Sequence, residues 1–181
     1  MLCLAQNALL RSGEVSGRLR ASDFEWELDM SAFRIRLFRT KTGRSGGGVF
    51  VDVAFCSHPL SGFQLMKRLW MFRQLDDTPL AFVFPAIRNG VLVLAQPASA
   101  ASLRNLVKMV AAAGGRDPAL FSGHSLRAGG ATDLFAMTVP SYTIKMMGRW
   151  RSEADLVYFR SVDAVAKTVA RAFEKIGGAC A

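Results

Sequence analysis

The residues of this sequence whose types and spacing could do chemistry lie in the stretch from 122 to 160. His124 and Arg127 are three residues apart, so on a helix both side chains share one face and can reach the same small target. The segment Gly148-Arg149-Trp150 and then Tyr158 follow. An arginine guanidinium suits phosphate oxygens, and a tyrosine hydroxyl can act as a covalent nucleophile. The combination indicates phosphoryl transfer on a nucleic-acid backbone.

The charge of the chain also favours a polyanionic partner. The 181 residues carry a formal charge of +9, from 23 Lys and Arg against 14 Asp and Glu, and most of these cations are arginine. Arginine binds phosphate through two parallel hydrogen bonds, whereas lysine acts as a point charge. We therefore expect nucleic acid ahead of membrane as the partner. A basic surface that only keeps the protein soluble is the alternative that composition leaves open.

Length, cysteines and hydropathy limit the class of protein. At 181 residues the chain is long enough to form one domain with a single sizeable core, and its 51% hydrophobic composition argues against global disorder. Its cysteines (Cys3, Cys56 and Cys180) have the spacing of neither a disulfide framework nor a zinc site. The sequence has no run of about 18 apolar residues, so no membrane span is indicated. We expect an intracellular protein with reduced thiols.

The elements that must position these residues begin with a helix over residues 2 to 10, which Gly13 is expected to end or bend. Arg11 then lies at the end of a buried element. Taken alone, it either pairs with Glu14 or extends its charged group to solvent.

A strand follows, because apolar and basic residues alternate with period two over 33–37. The apolar residues are Phe33, Ile35 and Leu37, and the basic ones are Arg34 and Arg36. A flexible turn that holds Lys41 and Arg44 is predicted over residues 40–48, and the returning strand is predicted over residues 49–55. The five cations from Arg34 to Arg44, with no carboxylate among them, predict a hairpin that faces phosphate, whereas an ordinary solvated turn is the alternative.

The remaining elements are predicted from helical periodicity, caps and turn residues. Helices are expected over about 59–75, 99–113, 124–137, 140–147, 152–160 and 162–176, and short strands over 80–84 and 91–94 around a turn at 88–90. Ser122 or Ser125 can cap the helix that carries His124, and Gly129, Gly130 and Ala131 are small enough to let it lie close to a neighbour. Gly148 is expected to stop the short helix before it.

With these positions in view, the chain resembles the catalytic domain of the tyrosine recombinases, also called phage-type integrases. Leu10 to Val15, containing Arg11 and Glu14, resembles the first arginine motif of that family, and Lys41 lies on a hairpin as the family's catalytic lysine does. His124-Ser125-Leu126-Arg127 matches the motif of the histidine and the second arginine. Tyr158, followed by Phe159-Arg160, lies where the nucleophile is expected. The resemblance covers almost the whole chain and implies a mixed α+β fold, mainly helical, with a small antiparallel hairpin.

The chain departs from the family pattern in two places. The family usually has His or Trp directly after the glycine that precedes the tyrosine helix, whereas Arg149 follows Gly148 here and Trp150 comes next. Either residue could fill that position, and we favour Trp150 because the Gly-Arg-Trp version resembles recombinases of eukaryotic mobile elements. Family members also carry an N-terminal helical DNA-clamping domain. Because Arg11 is close to the start, we expect residues 1–181 to be a single, N-terminally shortened catalytic domain.

The resemblance implies a site-specific recombinase that cleaves and rejoins double-stranded DNA through a 3′-phosphotyrosine, without a metal or another cofactor. Tyr158 would attack, Arg11 and Arg127 would hold the non-bridging oxygens, and Lys41 would be the general acid. His124 would contact the phosphate and help to move protons, and Trp150 would supply an indole N–H and packing. The arginines expected to bind DNA outside this set are Arg34, Arg36, Arg44 and Arg149.

Two alternatives to this function stay open at the level of sequence. One is a DNA-binding remnant that no longer catalyses, and the other is a relaxing enzyme similar to type IB topoisomerases. The helix expected at 162–176 either docks on a neighbouring protomer of a homo-oligomer on DNA or packs on its own core.

Overall fold

The computed structural model describes residues 1–17, 19–38 and 48–150, and this part of the chain contains six α-helices, five strands and three short 3-10 helices (Ala21–Asp23, Leu75–Asp77 and Pro118–Leu120). The helices are α1 (Leu2–Asn7), α2 (Ser12–Val15), α3 (Gly62–Arg73), α4 (Ala100–Ala113), α5 (Gly123–Ala136) and α6 (Ser141–Gly148). The strands are β1 (Phe24–Trp26), β2 (Ala32–Leu37), β3 (Val49–Ala54), β4 (Pro85–Arg88) and β5 (Val91–Pro97). The turn residues Lys41 and Arg44 and the helices expected at 152–160 and 162–176, with Tyr158, lie outside the described residues.

The first three strands form an antiparallel sheet in the order β1-β2-β3, and β4 and β5 form a separate antiparallel pair. The predicted alternation in β2 is confirmed, because Phe33, Ile35 and Leu37 are buried. Arg34 of β2 lies opposite Asp52 of β3. Asp52 therefore supplies, from the facing strand, a carboxylate that residues 34–44 themselves lack.

An aromatic cluster holds the three-stranded sheet against α3. Trp26 packs on Phe33 with ring centroids 4.7 Å apart, and Trp70 of α3 packs on Phe24 at 5.4 Å. The indole Nε1 of Trp70 donates to Asp76 at 2.7 Å, so this large side chain is buried with its polar atom satisfied. The cluster anchors the hairpin strands on the helical body.

Helix α5 begins with a reciprocal cap in which both predicted serines take part. The Ser122 hydroxyl accepts from the backbone N–H of His124 at 3.2 Å, and the Ser125 hydroxyl accepts from the backbone N–H of Ser122 at 2.9 Å. The cap satisfies N–H groups that the first turn of a helix leaves without partners. The cap therefore fixes where α5, the helix that carries His124, begins.

Close packing of α5 on α1 depends on Gly130, as the small residues predicted. A Cβ at this position would overlap the Gln6 carbonyl oxygen and come within 2.8 Å of Cδ2 of Leu9, whereas a Cβ at Gly129 would meet nothing within 4 Å. Ala131 is fully buried beside Leu9. Residues 9 and 127 are brought together by this contact.

Two sequence predictions need correction. The first helix ends at Asn7, not at Gly13, because Leu9 adopts a left-handed conformation with φ 47°, and Gly13 lies inside α2. Residues 80–84 do not form a strand of the small sheet, whose first strand is β4 at Pro85–Arg88.

There is a physical reason why residues 80–84 do not form a strand of the small sheet. The backbone N–H of Val83 donates to the Leu19 carbonyl at 2.9 Å, and the guanidinium of Arg73 donates to the carbonyls of Phe82 and Val83 at 2.7 and 2.8 Å. These partners satisfy the backbone of an apolar segment that would otherwise need a neighbouring strand.

Candidate active site

The site is built around the short helix α2, which presents Arg11 and Glu14. Arg11 is the residue before the helix, and its Nη1 lies 2.9 Å from Oε1 of Glu14. The backbone N–H of Arg11 also donates to Oε2 of Glu14 at 2.8 Å. The Glu14 side chain is 3% exposed and that of Arg11 is 26% exposed. Of the two alternatives for Arg11 alone, the structure therefore has the ion pair with Glu14.

Arg149 reaches the same carboxylate from the far end of the described chain. It follows α6 in a left-handed conformation (φ 55°, ψ 38°), and its Nη2 lies 2.7 Å from Oε2 of Glu14. Its Nη1 donates to the Met147 carbonyl at 3.0 Å, and its Nη2 to the Leu9 carbonyl at 3.5 Å. The Nε of Arg149 is buried and has no hydrogen-bond partner among residues 1–17, 19–38 and 48–150. Glu14 thus bridges two guanidinium groups.

Arg127 is the most buried of the three arginines, at 1% exposure. From α5, its Nη1 donates to the Leu9 carbonyl at 2.8 Å and its Nη2 donates to the Gly148 carbonyl. Its guanidinium carbon lies 4.2 Å from the centroid of the Trp150 ring, a cation–π arrangement. Arg127 therefore ties the ends of α1 and α6 to α5.

Gly148 makes the approach of Trp150 possible. A Cβ at residue 148 would overlap the Trp150 ring. Residue 148, the last of α6, must therefore be a glycine for the Trp150 ring to pack on Arg127.

His124 lies in the first turn of α5, one helical turn before Arg127, and its side chain is partly exposed. Partial burial, followed by the positive charges of Arg127 and Arg11, lowers the pKa of His124 below its usual 6.5. A lowered pKa keeps the imidazole neutral at pH 7, the form that can accept a proton or a hydrogen bond. Both arginines act on His124, so the three predicted residues share one electrostatic environment.

The predicted DNA-binding arginines of β2 lie outside this cluster. Nε of Arg34 donates to Oδ1 of Asp52 at 2.6 Å on an exposed surface. The guanidinium of Arg36 lies 4.6 Å from the Phe38 ring centroid, and its Nε is buried with no hydrogen-bond partner in the described parts of the chain.

Arg36 also lines a cavity of about 760 Å³ between β2 and α2. Gly13 and Glu14 of α2 line the same cavity. Arg36 therefore lies at a cavity that it shares with the helix that carries the site.

Sequence reasoning missed two features of the site. It considered Glu14 as a partner of Arg11 but not of Arg149, and it gave no role to the Leu9 carbonyl, which accepts from both Arg127 and Arg149. A signal for the first was present, since Glu14 lies close to the end of an element predicted to be buried, and a buried carboxylate in a strongly basic chain needs cationic partners. The second depends on the left-handed turn at Leu9, for which a leucine gives no local signal.

Neither a metal site nor a membrane span is found in the described parts of the chain. Over residues 1–17, 19–38 and 48–150, no group of three or more His, Cys, Asp or Glu residues could hold a metal ion. Over the same residues, no helix has the length and apolar character that crossing a membrane requires.

The fold is that of a tyrosine-recombinase catalytic domain. The chain is similar to XerH site-specific recombinase in a post-cleavage complex with palindromic difH substrate, with a TM-score of 0.64 and 16% identity. It is also similar to XerH in a pre-cleavage complex with difH substrate, with a TM-score of 0.59 and 17% identity. The two matches cover 96% and 87% of this chain but 44% and 41% of the XerH chains. No family model and no curated protein matches the sequence.

Proposed function

We propose that the chain is the catalytic part of a site-specific DNA recombinase that cleaves and rejoins strands through Tyr158. The observation that supports this most is the meeting of Arg11, His124 and Arg127 around the end of α1. Residues 11 and 127 are far apart in sequence, and yet both lower the pKa of the same imidazole. A cluster of two guanidiniums and a neutral imidazole on this fold suits a backbone phosphodiester.

The proposed step is a transesterification at phosphorus. The Tyr158 phenolate oxygen bonds to the phosphorus while the bond to the 5′ oxygen breaks, which leaves a 3′-phosphotyrosine and a 5′-hydroxyl. Lys41 donates the proton that the leaving oxygen takes up. Attack by a 5′-hydroxyl reverses the step, so the bond energy is conserved and no nucleotide cofactor is needed.

The arginines would assist in two ways. Tyrosine titrates near pH 10 in water, and nearby guanidinium groups favour its phenolate. Arg11, with its partly exposed side chain, would bind a non-bridging oxygen directly, and the buried charge of Arg127 would stabilise the negative charge that develops on the phosphorane. Loss of one such preorganised donor costs about 3 to 4 kcal/mol of transition-state stabilisation.

The proposed partner is double-stranded DNA, in keeping with the net charge of +9 and with the DNA-bound state of the XerH structures. Such an activity would place the protein inside the cell, with DNA. The resemblance of Gly148-Arg149-Trp150 to mobile-element recombinases suggests DNA integration as one use of the reaction. The helix expected at 162–176 would join protomers on DNA.

The test is capture of the covalent intermediate. The chain is incubated with a pool of nicked duplexes of random sequence, in which the short 5′-hydroxyl fragment diffuses away after cleavage and traps the adduct. We expect a protein–DNA adduct with the wild type and none with Tyr158→Phe, while Tyr142→Phe, which changes the exposed tyrosine of α6, keeps it.

The remnant alternative has one observation in its favour, which is that Arg127 is 1% exposed and bonded to two carbonyls. Salt-sensitive DNA binding without any adduct would establish it. Relaxation of a supercoiled plasmid that contains no paired sites would instead identify the topoisomerase-like activity.

A further inference from the structure

We infer that Arg149, and not Trp150, is the third group that binds the scissile phosphate. The inference rests on the proposed function and assigns one more residue of the same site. It differs from the expectation drawn from sequence, which favoured Trp150 for the position after Gly148.

The side chains of Arg149 and Trp150 point in different directions. Arg149 turns back onto α2, and its Nη2 shares the Glu14 carboxylate with Arg11, at 2.7 and 2.9 Å from the two oxygens. Two guanidiniums held by one carboxylate are close enough to reach the two non-bridging oxygens of one phosphate. Trp150 instead lies with its ring against Arg127, 4.2 Å from the guanidinium carbon.

The exposed fractions of the three arginine side chains also support the assignment. The side chain of Arg149 is 13% exposed and that of Arg11 is 26% exposed, whereas Arg127 is 1% exposed. Among the three arginines, Arg11 and Arg149 are the pair that a phosphate meets first. Arg127 contributes charge beneath them.

Arg149 also has hydrogen-bonding capacity to spare. Its Nε–H is buried and has no hydrogen-bond partner among the residues that the structure describes, and a buried donor in that state costs free energy until it finds an acceptor. A phosphate oxygen could accept from this N–H while Nη2 keeps its bond to Glu14.

The charges agree with this assignment. Two guanidinium groups, those of Arg11 and Arg149, contact the single carboxylate of Glu14, and a third, that of Arg127, shares the Leu9 carbonyl with Arg149. The excess of positive charge matches a phosphorane that carries the charges of both the phosphate and the attacking phenolate. With Trp150 alone in the third place, this match would be lost.

The experiment compares two substrates that differ at one oxygen. Nicked duplexes are made with either a phosphate or a methylphosphonate at the cleaved position, so that a methyl group replaces one charged non-bridging oxygen. The rate of adduct formation is measured for the wild type, Arg149→Gln and Trp150→Phe, with Arg116→Gln as an exposed arginine control. Thermal unfolding of each variant is measured alongside.

We expect Arg149→Gln to slow the reaction of the phosphate substrate roughly 100- to 1000-fold. On one methylphosphonate isomer the loss should shrink to less than about 10-fold, because the charge that Arg149 would offset is gone. Trp150→Phe, which keeps a ring over Arg127 but lacks the indole N–H, should lose less on phosphate than Arg149→Gln does. If Arg149→Gln does not fold, Arg149→Lys keeps the charge without the fork and should show the same dependence on substrate.

Equal losses on both substrates, or a larger loss in Trp150→Phe than in Arg149→Gln, would overturn the assignment and leave the proposed function standing. Wild-type protein that forms no adduct on either substrate would overturn both.

Discussion

At the scale of single residues, the Glu14 carboxylate controls how the arginines of the site are held. Its side chain is 3% exposed, and it accepts from Arg11 and Arg149 with separate oxygens. Removing one member of a buried ionic group leaves its partners uncompensated, which costs more than the group itself contributes to stability.

We therefore expect Glu14→Gln to lower the free energy of unfolding by about 2 to 3 kcal/mol, less than for fully buried pairs because Arg11 is partly exposed. The matched control is Asp52→Asn, which breaks the exposed pair with Arg34 and should cost less than about 1 kcal/mol. Urea denaturation of both variants measures the difference. Similar losses for the two would contradict the central role of Glu14.

His124 provides a second test at this scale. Burial and the charges of Arg127 and Arg11 lower its pKa below 6.5, so protonation favours the unfolded chain, in which the pKa is normal. The stability that depends on neutral His124 is complete above pH 6.5 and is lost as the pH falls through the lowered value.

We expect Arg11→Gln to raise the pKa of His124 towards 6.5 by removing one positive charge, and Arg116→Gln to leave it unchanged. An NMR titration measures both, and the chain has two histidines, so His124→Gln assigns the signal. A pKa that does not respond to Arg11 would place the two side chains in separate environments.

At the scale of elements, the approach of α5 to α1 determines whether Arg127 can reach Leu9. A Cβ at Gly130 would overlap the Gln6 carbonyl, while a Cβ at the neighbouring Gly129 meets open space. Of these two glycines, Gly130 is therefore the one that the close approach of the helices requires.

Alanine at each of these glycines should change stability in opposite directions. Gly130→Ala should destabilise the protein by about 1 to 3 kcal/mol, because the helices must move apart. Gly129→Ala should stabilise it by up to about 1 kcal/mol through helix propensity. Thermal or urea unfolding distinguishes these outcomes, and destabilisation by both would show that α5 packs differently.

The same elements show how much the sequence could reveal. The limits of α4, α5 and the β2–β3 hairpin followed from periodicity, serine caps and alternation, all of which act within a few residues. The turn at Leu9 and the displaced strand near residue 83 could not be predicted, because their backbone groups bond to partners far away in sequence, which are Arg127 for Leu9 and Leu19 for Val83. Arg11, His124 and Arg127 were identified from motif spacing, but the bridge from Glu14 to Arg149 spans 135 residues and needs the fold.

At the scale of the whole molecule, the net charge of +9 predicts DNA affinity that falls steeply with salt, since each neutralised phosphate releases counterions. The arginines of β2 should not contribute equally to this dependence. Arg34 is already paired with Asp52 at 2.6 Å, whereas Arg36 lines the cavity beside α2, and its Nε has no hydrogen-bond partner within the described part of the chain.

We expect Arg36→Gln to make the slope of log K against log salt concentration less steep by about 0.9, the effect of one phosphate contact. Arg34→Gln should change the slope by less, because a phosphate must compete with Asp52 for that guanidinium. In an Asp52→Asn background, where this competition is removed, Arg34→Gln should change the slope by more than it does in the wild-type background. Fluorescence anisotropy with a random-sequence duplex over a range of salt concentrations measures each slope. A larger change for Arg34 than for Arg36 in the wild-type background would mean that DNA follows the exposed face of the sheet and not the cavity beside α2.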